Sequence, residues 1–206
     1  KVLMWDAIDE YKIILEKPIL YAYSDHKIKT NIKLKSKGQL MFSYPTLSQN
    51  SSWEVTLENN TFIDDHGKVY PYLFWDSKLP DSWALLEKTE RLLGSIIAKK
   101  DIINFLDSTL QNIGFNFKEK TDFITYWGPR LCQKEYSFIQ FMTQKQCDQF
   151  ATYEIYPKPD HLNRLYMVFD QFDEYPKHIV FEKQNLEPLT RSGFYLLEWG
   201  GFNVKL

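Results

Sequence analysis

The segment KIKTNIKLK, residues 27–35, alternates apolar and lysine-bearing positions along most of its length. Successive side chains of a β-strand point to opposite faces, so the pattern predicts Ile28, Ile32 and Leu34 on one face and the lysines on the other. One buried face and one wet face are typical of an antiparallel sheet. The lysine row indicates a solvated face, or protection of an edge strand against aggregation.

Neighbouring segments extend this β pattern. ILYAYS (19–24) precedes it, and a turn at residues 37–38 predicts that QLMFSYP (39–45) forms the second half of a hairpin. SWEVTLE (52–58) alternates again. KVYPYLFWDS (68–77) is apolar on both faces, which predicts a strand buried on both sides with Pro71 at a sheet edge or bulge.

Three helices are predicted in the middle of the chain, followed by a return to strands after Cys132. Their apolar spacing and capping residues place them at SWALLEKTERLLGSIIA (82–98), IINFLDSTLQNI (102–113) and TDFITYWGPRL (121–131), the last ended by Gly128 and Pro129.

The predicted fold class is therefore α+β, with antiparallel, β-sandwich-like sheets and two to three helices inserted between an N-terminal and a C-terminal strand set. Residues 1–16 are predicted as an N-terminal arm or a short amphipathic helix ended by Pro18. Residues 17–206 are predicted as a single domain, with strands over 17–80, helices over 81–131 and strands over 135–206.

Composition excludes several functional classes. The net charge of −2 over 206 residues argues against a nucleic-acid binder. No window reaches the roughly 18 apolar residues of a membrane-spanning helix. The chain begins with Lys1, so a targeting segment could have been removed. An intracellular location is favoured, with a secreted or surface-associated one as the alternative.

Neither the cysteine spacing nor any sequence motif indicates a cofactor-binding site. Cys132 and Cys147 form no CxxC pair and have no histidine at metal-ligand spacing, so two free thiols are favoured over a disulfide. The motifs GxSxG, GxGxxG and HExxH and the P-loop are missing from the sequence. No cofactor or metal site is predicted.

Two alternatives assign specific residues to a site. A hydrolase would need acid–base groups to converge in one cleft, and the candidates are Asp76, His161, Arg164 and Glu198. Arg164 is equally explained by a structural ion pair with Glu198 or Asp160. A carbohydrate- or peptide-binding β-sandwich module would need exposed aromatic rings. The candidates for that surface are Trp53, Trp75, Trp127 and Trp199.

The favoured function is that of a non-enzymatic structural or interaction protein, as a subunit or accessory component of a larger assembly. The aromatic content of 17%, the apolar N-terminal segment and the missing catalytic motifs support it. Protein partners are expected, through residues 1–16.

Five blocks resemble motifs of one uncharacterised family of hypothetical proteins from bacteria and ciliates. They are KPILYAY (17–23), YPYLFWDS (70–77), KTDFITYWGPRL (120–131), YEIYPKPDHLNRLYMVF (153–169) and GFYLLEWGG (193–201), similar to KPxIYLYP, YPYLFWE, TDFITFWLP, PKPDxxIR and GFTVVEWGG. The resemblance implies no activity and no catalytic residue. Asp76 stands where the family motif has Glu; catalytic geometry tolerates such a shortening poorly, which favours a structural role for Asp76.

Overall fold

The computed structural model describes residues 11–80 and 92–206. The strands are β1 (Tyr11–Tyr23), β2 (Ile28–Ser36), β3 (Gln39–Tyr44), β4 (Ser52–Glu58), β5 (Thr61–Ile63), β6 (Val69–Tyr70), β7 (Leu73–Pro80), β8 (Leu92–Leu93), β9 (Ser95–Ala98), β10 (Tyr136–Met142), β11 (Ala151–Tyr156), β12 (His161–Phe172), β13 (Phe181–Glu182) and β14 (Tyr195–Asn203). The α-helices are α1 (Ile102–Asn112), α2 (Phe117–Leu131) and α3 (Gln144–Cys147).

Two large sheets contain most of these strands. A seven-stranded sheet has the order β3-β7-β1-β14-β12-β10-β9, and a five-stranded sheet has the order β11-β2-β4-β5-β6. Pairing is antiparallel in both except between β12 and β14. The coarse prediction of an α+β fold rich in antiparallel strands is confirmed. Its finer description as a sandwich stays a prediction, as does the single domain over 17–206.

The seven-stranded sheet has a different neighbour on each face. One cluster of buried side chains contains Leu20 and Trp75 of this sheet together with Ile32 of the five-stranded sheet. A second cluster contains Trp199 of the same sheet together with Trp127 of α2. We call the face of the sheet that contributes to the first cluster the inter-sheet face, and the face that contributes to the second cluster the helix-side face. Because side chains alternate along a strand, adjacent residues of one strand enter different environments.

Strand β2 has the two faces that its sequence predicts. Ile32 and Leu34 are buried, whereas Lys29 and Lys35 are exposed. Lys35 and Lys33 form ion pairs with Glu154 of the neighbouring strand β11. The interpretation as a solvated face is confirmed. Protection of an edge strand is wrong, because β2 lies between β11 and β4.

The predicted hairpin between β2 and the segment that follows it is wrong. β3 pairs with β7 in the seven-stranded sheet, so the chain changes sheets at residues 37–38. Gly38 permits the crossing at close range, since a Cβ there would lie 2.5 Å from Ser77 Oγ of β7. Alternation predicts which face of a strand is buried, but not which sheet the strand joins.

The aromatic stretch 68–77 also changes sheets. Tyr70 belongs to β6, the edge strand of the five-stranded sheet, and Leu73 begins β7 in the other sheet. Pro71 lies between them, next to a sheet edge as predicted. Burial on both sides is only partly correct, because Trp75 is fully buried whereas Asp76 is half-buried.

The structure corrects two of the three predicted helices. α1 agrees with its prediction, but α2 begins at Phe117, after an Asn116 cap that forms a capping box with Glu119. It also continues through Gly128 and Pro129, which were predicted to end it. A Cβ on Gly128 would lie 2.9 Å from Ile103 Cδ1 of α1, so this glycine allows the two helices to pack closely.

The first predicted helix and the N-terminal segment both contain strands. The helix predicted over 82–98 is wrong at Leu92–Leu93 and Ser95–Ala98, which form β8 and β9, and its first part lies outside the described residues. Short apolar runs do not distinguish a helix from a strand. A helix over 1–16 is likewise wrong for residues 11–16, which belong to β1; residues 1–10 lie outside the described residues.

Candidate functional site

Two of the four residues predicted for a hydrolase meet in the core. Arg164 Nε of β12 donates to Glu198 Oε2 of β14 at 2.6 Å, and both side chains are 0% exposed. The two strands pair in register at these residues, which brings the side chains together on the inter-sheet face. The pair lies between the sheets, not in a cleft.

Further hydrogen bonds support this ion pair, although the buried Arg164 Nη2 has no hydrogen-bond partner among the described residues. Trp75 Nε1 donates to Glu198 Oε1 at 3.0 Å, and the Tyr153 hydroxyl donates to the same oxygen. Arg164 Nη1 donates to Asp148 Oδ1 at 2.8 Å. We call Glu198, Arg164, Trp75, Tyr153 and Asp148 the Glu198 cluster. Buried charges persist where they are paired and hydrogen-bonded in this way, so the predicted structural ion pair of Arg164 is present, with Glu198 as its partner.

Burial keeps the neighbouring titratable groups protonated. It raises the pKa of the Tyr153 phenol well above its usual value, and the Glu198 carboxylate raises it further. It also raises the pKa of the Cys147 thiol to about 12. Such a thiol is a poor nucleophile at neutral pH. Cys147 and Cys132 are both free, as the sequence predicts.

His161 and Asp76 do not join the Glu198 cluster. His161 Nε2 lies 3.1 Å from Ser192 Oγ at the start of β12. Asp76 follows Trp75 along β7, so its side chain points to the helix-side face while the indole points to the Glu198 carboxylate. The sheet itself separates the two carboxylates, and the predicted joint acid–base site is not assembled.

None of the four predicted indoles is an exposed binding surface. Trp53 is 2% exposed, and Trp75, Trp127 and Trp199 are 0% exposed. Trp53 Nε1 donates to Pro45 O at 2.7 Å, so even its polar edge is used internally. The proposed aromatic binding surface is wrong for these residues, because sequence alternation does not distinguish a core tryptophan from an exposed one.

Asp76 instead borders an open groove between β1 and α2. Lys17, Ile19, Tyr72, Asp122, Thr125 and Tyr126 line a pocket of about 210 Å³. Asp76 Oδ1 accepts from the backbone N–H of Lys17 at 3.3 Å. We call this pocket the Lys17 groove.

A bulge in β1 lies beside the groove. The pairing of β1 with β14 shifts register between Glu16 and Ile19, and its pairing with β7 shifts between Leu15 and Ile19. Lys17 has a φ of 57°, which is uncommon for a residue with a side chain. Bulges re-aim side chains and occur often next to functional sites. This bulge turns the lysine out of the sheet pattern.

The Lys17 ammonium lies among aromatic rings. Its Nζ is 5.4 Å from the ring centroids of Phe74 and Tyr126 and 5.7 Å from that of Tyr72. Within residues 11–80 and 92–206, no carboxylate lies within the 4.0 Å ion-pair distance of this Nζ. Desolvation lowers the pKa of Lys17, while Asp122 and Asp76 act in the opposite direction.

Carboxylates and cations alternate around the groove. Asp122 Oδ2 accepts from the Tyr21 hydroxyl at 2.7 Å and from Lys118 Nζ at 2.6 Å. Glu16 Oε2 accepts from the Tyr126 hydroxyl at 3.0 Å, and the Arg130 guanidinium stacks 3.6 Å from the centroid of that ring. Burial, with the Glu16 charge as the next cause, raises the pKa of Tyr126 to about 12. Desolvation raises the pKa of Asp76.

A second open surface lies at the β3 edge of the same sheet. In the described part of the chain, β3 pairs with β7 and has no strand on its other side. Met41 is 50% exposed and Phe42 is 56% exposed, and Leu40 and Tyr44 are exposed as well. The strand QLMFSY carries no charged residue. The Phe42 and Phe74 rings lie 5.9 Å apart, which brings this edge close to the Lys17 groove.

Sequence reasoning singled out Asp76 but missed its neighbours in the Lys17 groove. Lys17 lies in the block 17–23, Tyr72 in 70–77, and Asp122 and Tyr126 in 120–131. These are three of the five blocks that carry the family resemblance. Their convergence in space could have drawn attention to the groove, but the bulge at Lys17 has no signature in the sequence.

Comparisons with known proteins give one weak similarity. The chain is 30% identical over 61 residues to an "Uncharacterized protein in bglA 3'region" of Butyrivibrio fibrisolvens. The match covers 29% of this chain and 64% of that relative, less than two thirds of its length. No family model matches the chain, and no solved structure matches it. The resemblance to an uncharacterised family therefore stays a prediction.

The helices also bear on the membrane prediction. Among the helices of residues 11–80 and 92–206, none is long and apolar enough to span a membrane.

Proposed function

We propose that this chain is a non-enzymatic interaction protein, which binds an extended segment of a partner protein as an additional strand alongside β3. The observation that carries the proposal is the exposed and uncharged edge of the seven-stranded sheet. Each unpaired N–H and C=O group of an edge strand can bind a further strand, and this mode of recognition is used by several classes of peptide-binding domain.

Edge strands of monomeric proteins are normally protected. Charged side chains, very short strands and covering elements are the usual means. β11, the edge of the five-stranded sheet, has Glu154 in ion pairs with lysines of β2. β6, the opposite edge of that sheet, has only two residues, Val69 and Tyr70. β3 has six residues and a register shift between Leu40 and Phe42, and among the described residues Lys68 Nζ lies 5.2 Å from the ring centroid of Tyr44 at one end of the strand.

The chemistry of β3 indicates the chemistry of its partner. Phe42 is opposite Asp76 on the helix-side face, and Leu40 is opposite Ser77, whose side chain enters the inter-sheet side. A strand added to this edge would therefore place side chains against apolar groups on both faces. We infer a partner segment that is extended, uncharged and rich in apolar residues. Binding through residues 1–16 stays a separate prediction, since most of that segment lies outside the described residues.

A selection from a random peptide library displayed on phage tests the proposal. We expect selected peptides to be apolar and extended, and to shift the NMR signals of β3 amides in the isotopically labelled protein. Met41→Lys should reduce their binding at least tenfold, because a lysine on an edge strand opposes pairing with another strand. Val69→Lys is the matched control, since Val69 is also an exposed apolar residue of an edge strand.

Three outcomes would contradict the proposal. Selected peptides could bind equally to wild type and to Met41→Lys, or their NMR shifts could map away from β3. A concentration-dependent homodimer that Met41→Lys abolishes would make the occupant of the edge a second copy of this chain, and so would overturn the assignment to a separate partner. Light scattering over a range of protein concentrations measures this third outcome.

A further inference from the structure

The Lys17 groove has the features of a binding site that is separate from the β3 edge. Its lysine is turned into the pocket by a β-bulge, and its ammonium has no ion-pair partner among the described residues. Three rings surround that ammonium at 5.4–5.7 Å. A half-buried ammonium that lines an open pocket can exchange bound water for the hydrogen-bonding groups of a ligand.

The volume and composition of the pocket limit the size of its ligand. About 210 Å³ is smaller than the roughly 300–1,000 Å³ of pockets that bind drug-sized molecules. The lining combines the apolar faces of Tyr72 and Tyr126 with the polar groups of Lys17, Asp122 and Thr125. One small ring with polar substituents on its edge and C–H groups on its faces matches this combination.

The charges around the groove balance. Among the described residues that border it, the three carboxylates of Glu16, Asp76 and Asp122 face the three cations of Lys17, Lys118 and Arg130. A ligand carrying a net charge of either sign would meet like charges as well as opposite ones, and like-charge juxtaposition is unfavourable. A neutral ligand that both donates and accepts hydrogen bonds avoids this penalty.

Hydroxyl groups meet these requirements because each can donate and accept. One hydroxyl can accept from the Lys17 ammonium while another donates to the carboxylate of Asp122 or Asp76. We propose that the Lys17 groove binds a neutral, hydroxyl-rich ring, such as one monosaccharide unit, with a face of the ring against Tyr72 or Tyr126. The proposal does not depend on peptide binding at β3.

NMR titration of the labelled full chain with small probes tests this assignment. The neutral probes are the methyl glycosides of glucose, galactose and xylose, with inorganic phosphate as the anion probe and tetramethylammonium as the cation probe. We expect at least one glycoside to shift the amides of Lys17 and Asp122, and neither charged probe to do so. Shifts caused by phosphate or tetramethylammonium alone, or glycoside shifts located elsewhere, would overturn the proposal.

Substitutions measure the contribution of each group. Lys17→Met keeps an unbranched side chain that is one heavy atom shorter and uncharged, and should lower glycoside affinity roughly 10- to 100-fold, the range expected for hydrogen bonds to a charged group. Tyr72→Leu should lower it about 2- to 10-fold through the loss of ring stacking. Lys35→Met, on the exposed face of β2, is the matched control. Unchanged affinity in Lys17→Met would contradict the assignment.

The two proposals can fail independently. Met41→Lys should weaken binding of β3-selected peptides and leave glycoside affinity unchanged, whereas Lys17→Met should weaken glycoside binding and leave peptide affinity unchanged. Lys17→Met is expected to fold, because it removes a desolvated charge and no ion pair of the described residues. Thermal unfolding of each variant verifies folding. Loss of both peptide binding and glycoside binding in either variant would contradict the assignment of two separate sites.

Discussion

Trp75 and Asp76 are consecutive residues of β7, yet they face opposite sides of the seven-stranded sheet. On the inter-sheet face, Trp75 donates to a glutamate that is fully buried and already paired with Arg164. On the helix-side face, Asp76 borders a groove in which the ammonium of Lys17 has no ion-pair partner among the described residues. Both regions contain acids, bases and aromatic rings, so their residue types alone do not distinguish them.

The difference lies in whether the hydrogen-bonding groups are accessible to a ligand. Glu198 receives three donors in the core, which leaves no access for a ligand. Lys17 and Asp76 are half-buried beside an open pocket, where a ligand can complete their hydrogen bonds. A cluster of titratable residues is therefore evidence of a binding site only where it is accessible; sealed clusters perturb pKa values equally well.

The largest expected effect is the loss of the Glu198 charge. Glu198→Gln leaves the Arg164 guanidinium buried without its main counter-charge, and should lower the free energy of unfolding by about 3–5 kcal/mol. Urea denaturation at pH 7 measures this. The double variant Glu198→Leu with Arg164→Met should recover part of the loss, since it removes both charges but leaves the buried Tyr153 hydroxyl without its acceptor. A loss below about 1 kcal/mol in Glu198→Gln would mean that the cluster is not sealed.

A smaller effect is expected at Glu119 on the helix side of the sheet. Its carboxylate accepts from Arg191 Nη2 at 2.7 Å and from the Tyr23 hydroxyl, and Arg191 is partly exposed. Glu119→Gln should lower the free energy of unfolding by about 1.5–3 kcal/mol, the range for hydrogen bonds to a charged group. Glu154→Gln on the exposed face of β11 is the control and should cause no measurable change. Equal losses of unfolding free energy in Glu119→Gln and Glu154→Gln would contradict this ordering.

The third effect concerns Asp76 and depends on pH. Desolvation raises the pKa of Asp76 above its usual 3.8, so the folded state binds the proton more tightly than the unfolded state does. The stabilisation that comes from this tighter proton binding at Asp76 is complete below pH 3.8 and decreases as the pH rises through the folded-state pKa. Asp76→Asn should therefore be more stable than wild type at pH 7.

Thermal unfolding over a pH series measures the Asp76 effect. The stability difference between Asp76→Asn and wild type should become smaller as the pH falls towards 3.8. Asn keeps an oxygen that can accept from the Lys17 N–H, so the backbone contact at the bulge is preserved. A variant less stable than wild type at pH 7 would show that the carboxylate is net stabilising, and that desolvation is not the dominant cause.

The spacing of apolar residues within one segment predicts those features of the fold that depend on that segment alone. The alternation of β2 gives its buried and exposed faces, and the apolar stripe of α1 gives its helix. The sheet to which each strand belongs depends on long-range pairing. The crossings between sheets at Gly38 and at Pro71, for example, separate segments that are adjacent in sequence. Turn residues mark such crossings but do not indicate the new partner strand.

The candidate sites show the same limit. Arg164 and Glu198 were predicted because of their chemistry, and the parallel register of β12 and β14 brings them together in the core. Whether a charged pair is buried or accessible to solvent depends on the packing of the second sheet, which the sequence of one segment does not indicate. Lys17 was missed because its place in the groove depends on a bulge, and the pairing of β1 with both neighbouring strands defines that bulge.

We propose binding through the open helix-side end of β1, β7 and β3, and not through the Glu198 cluster. One NMR titration of the labelled protein tests it, with a methyl glycoside and a β3-selected peptide added in turn while the indole N–H of Trp75 is followed as an internal reference. We expect shifts of the Lys17 and Phe42 amides and no shift of the Trp75 indole. Shifts of the Trp75 indole and of Arg164 Nε–H, with the Lys17 and Phe42 amides unchanged, would contradict it.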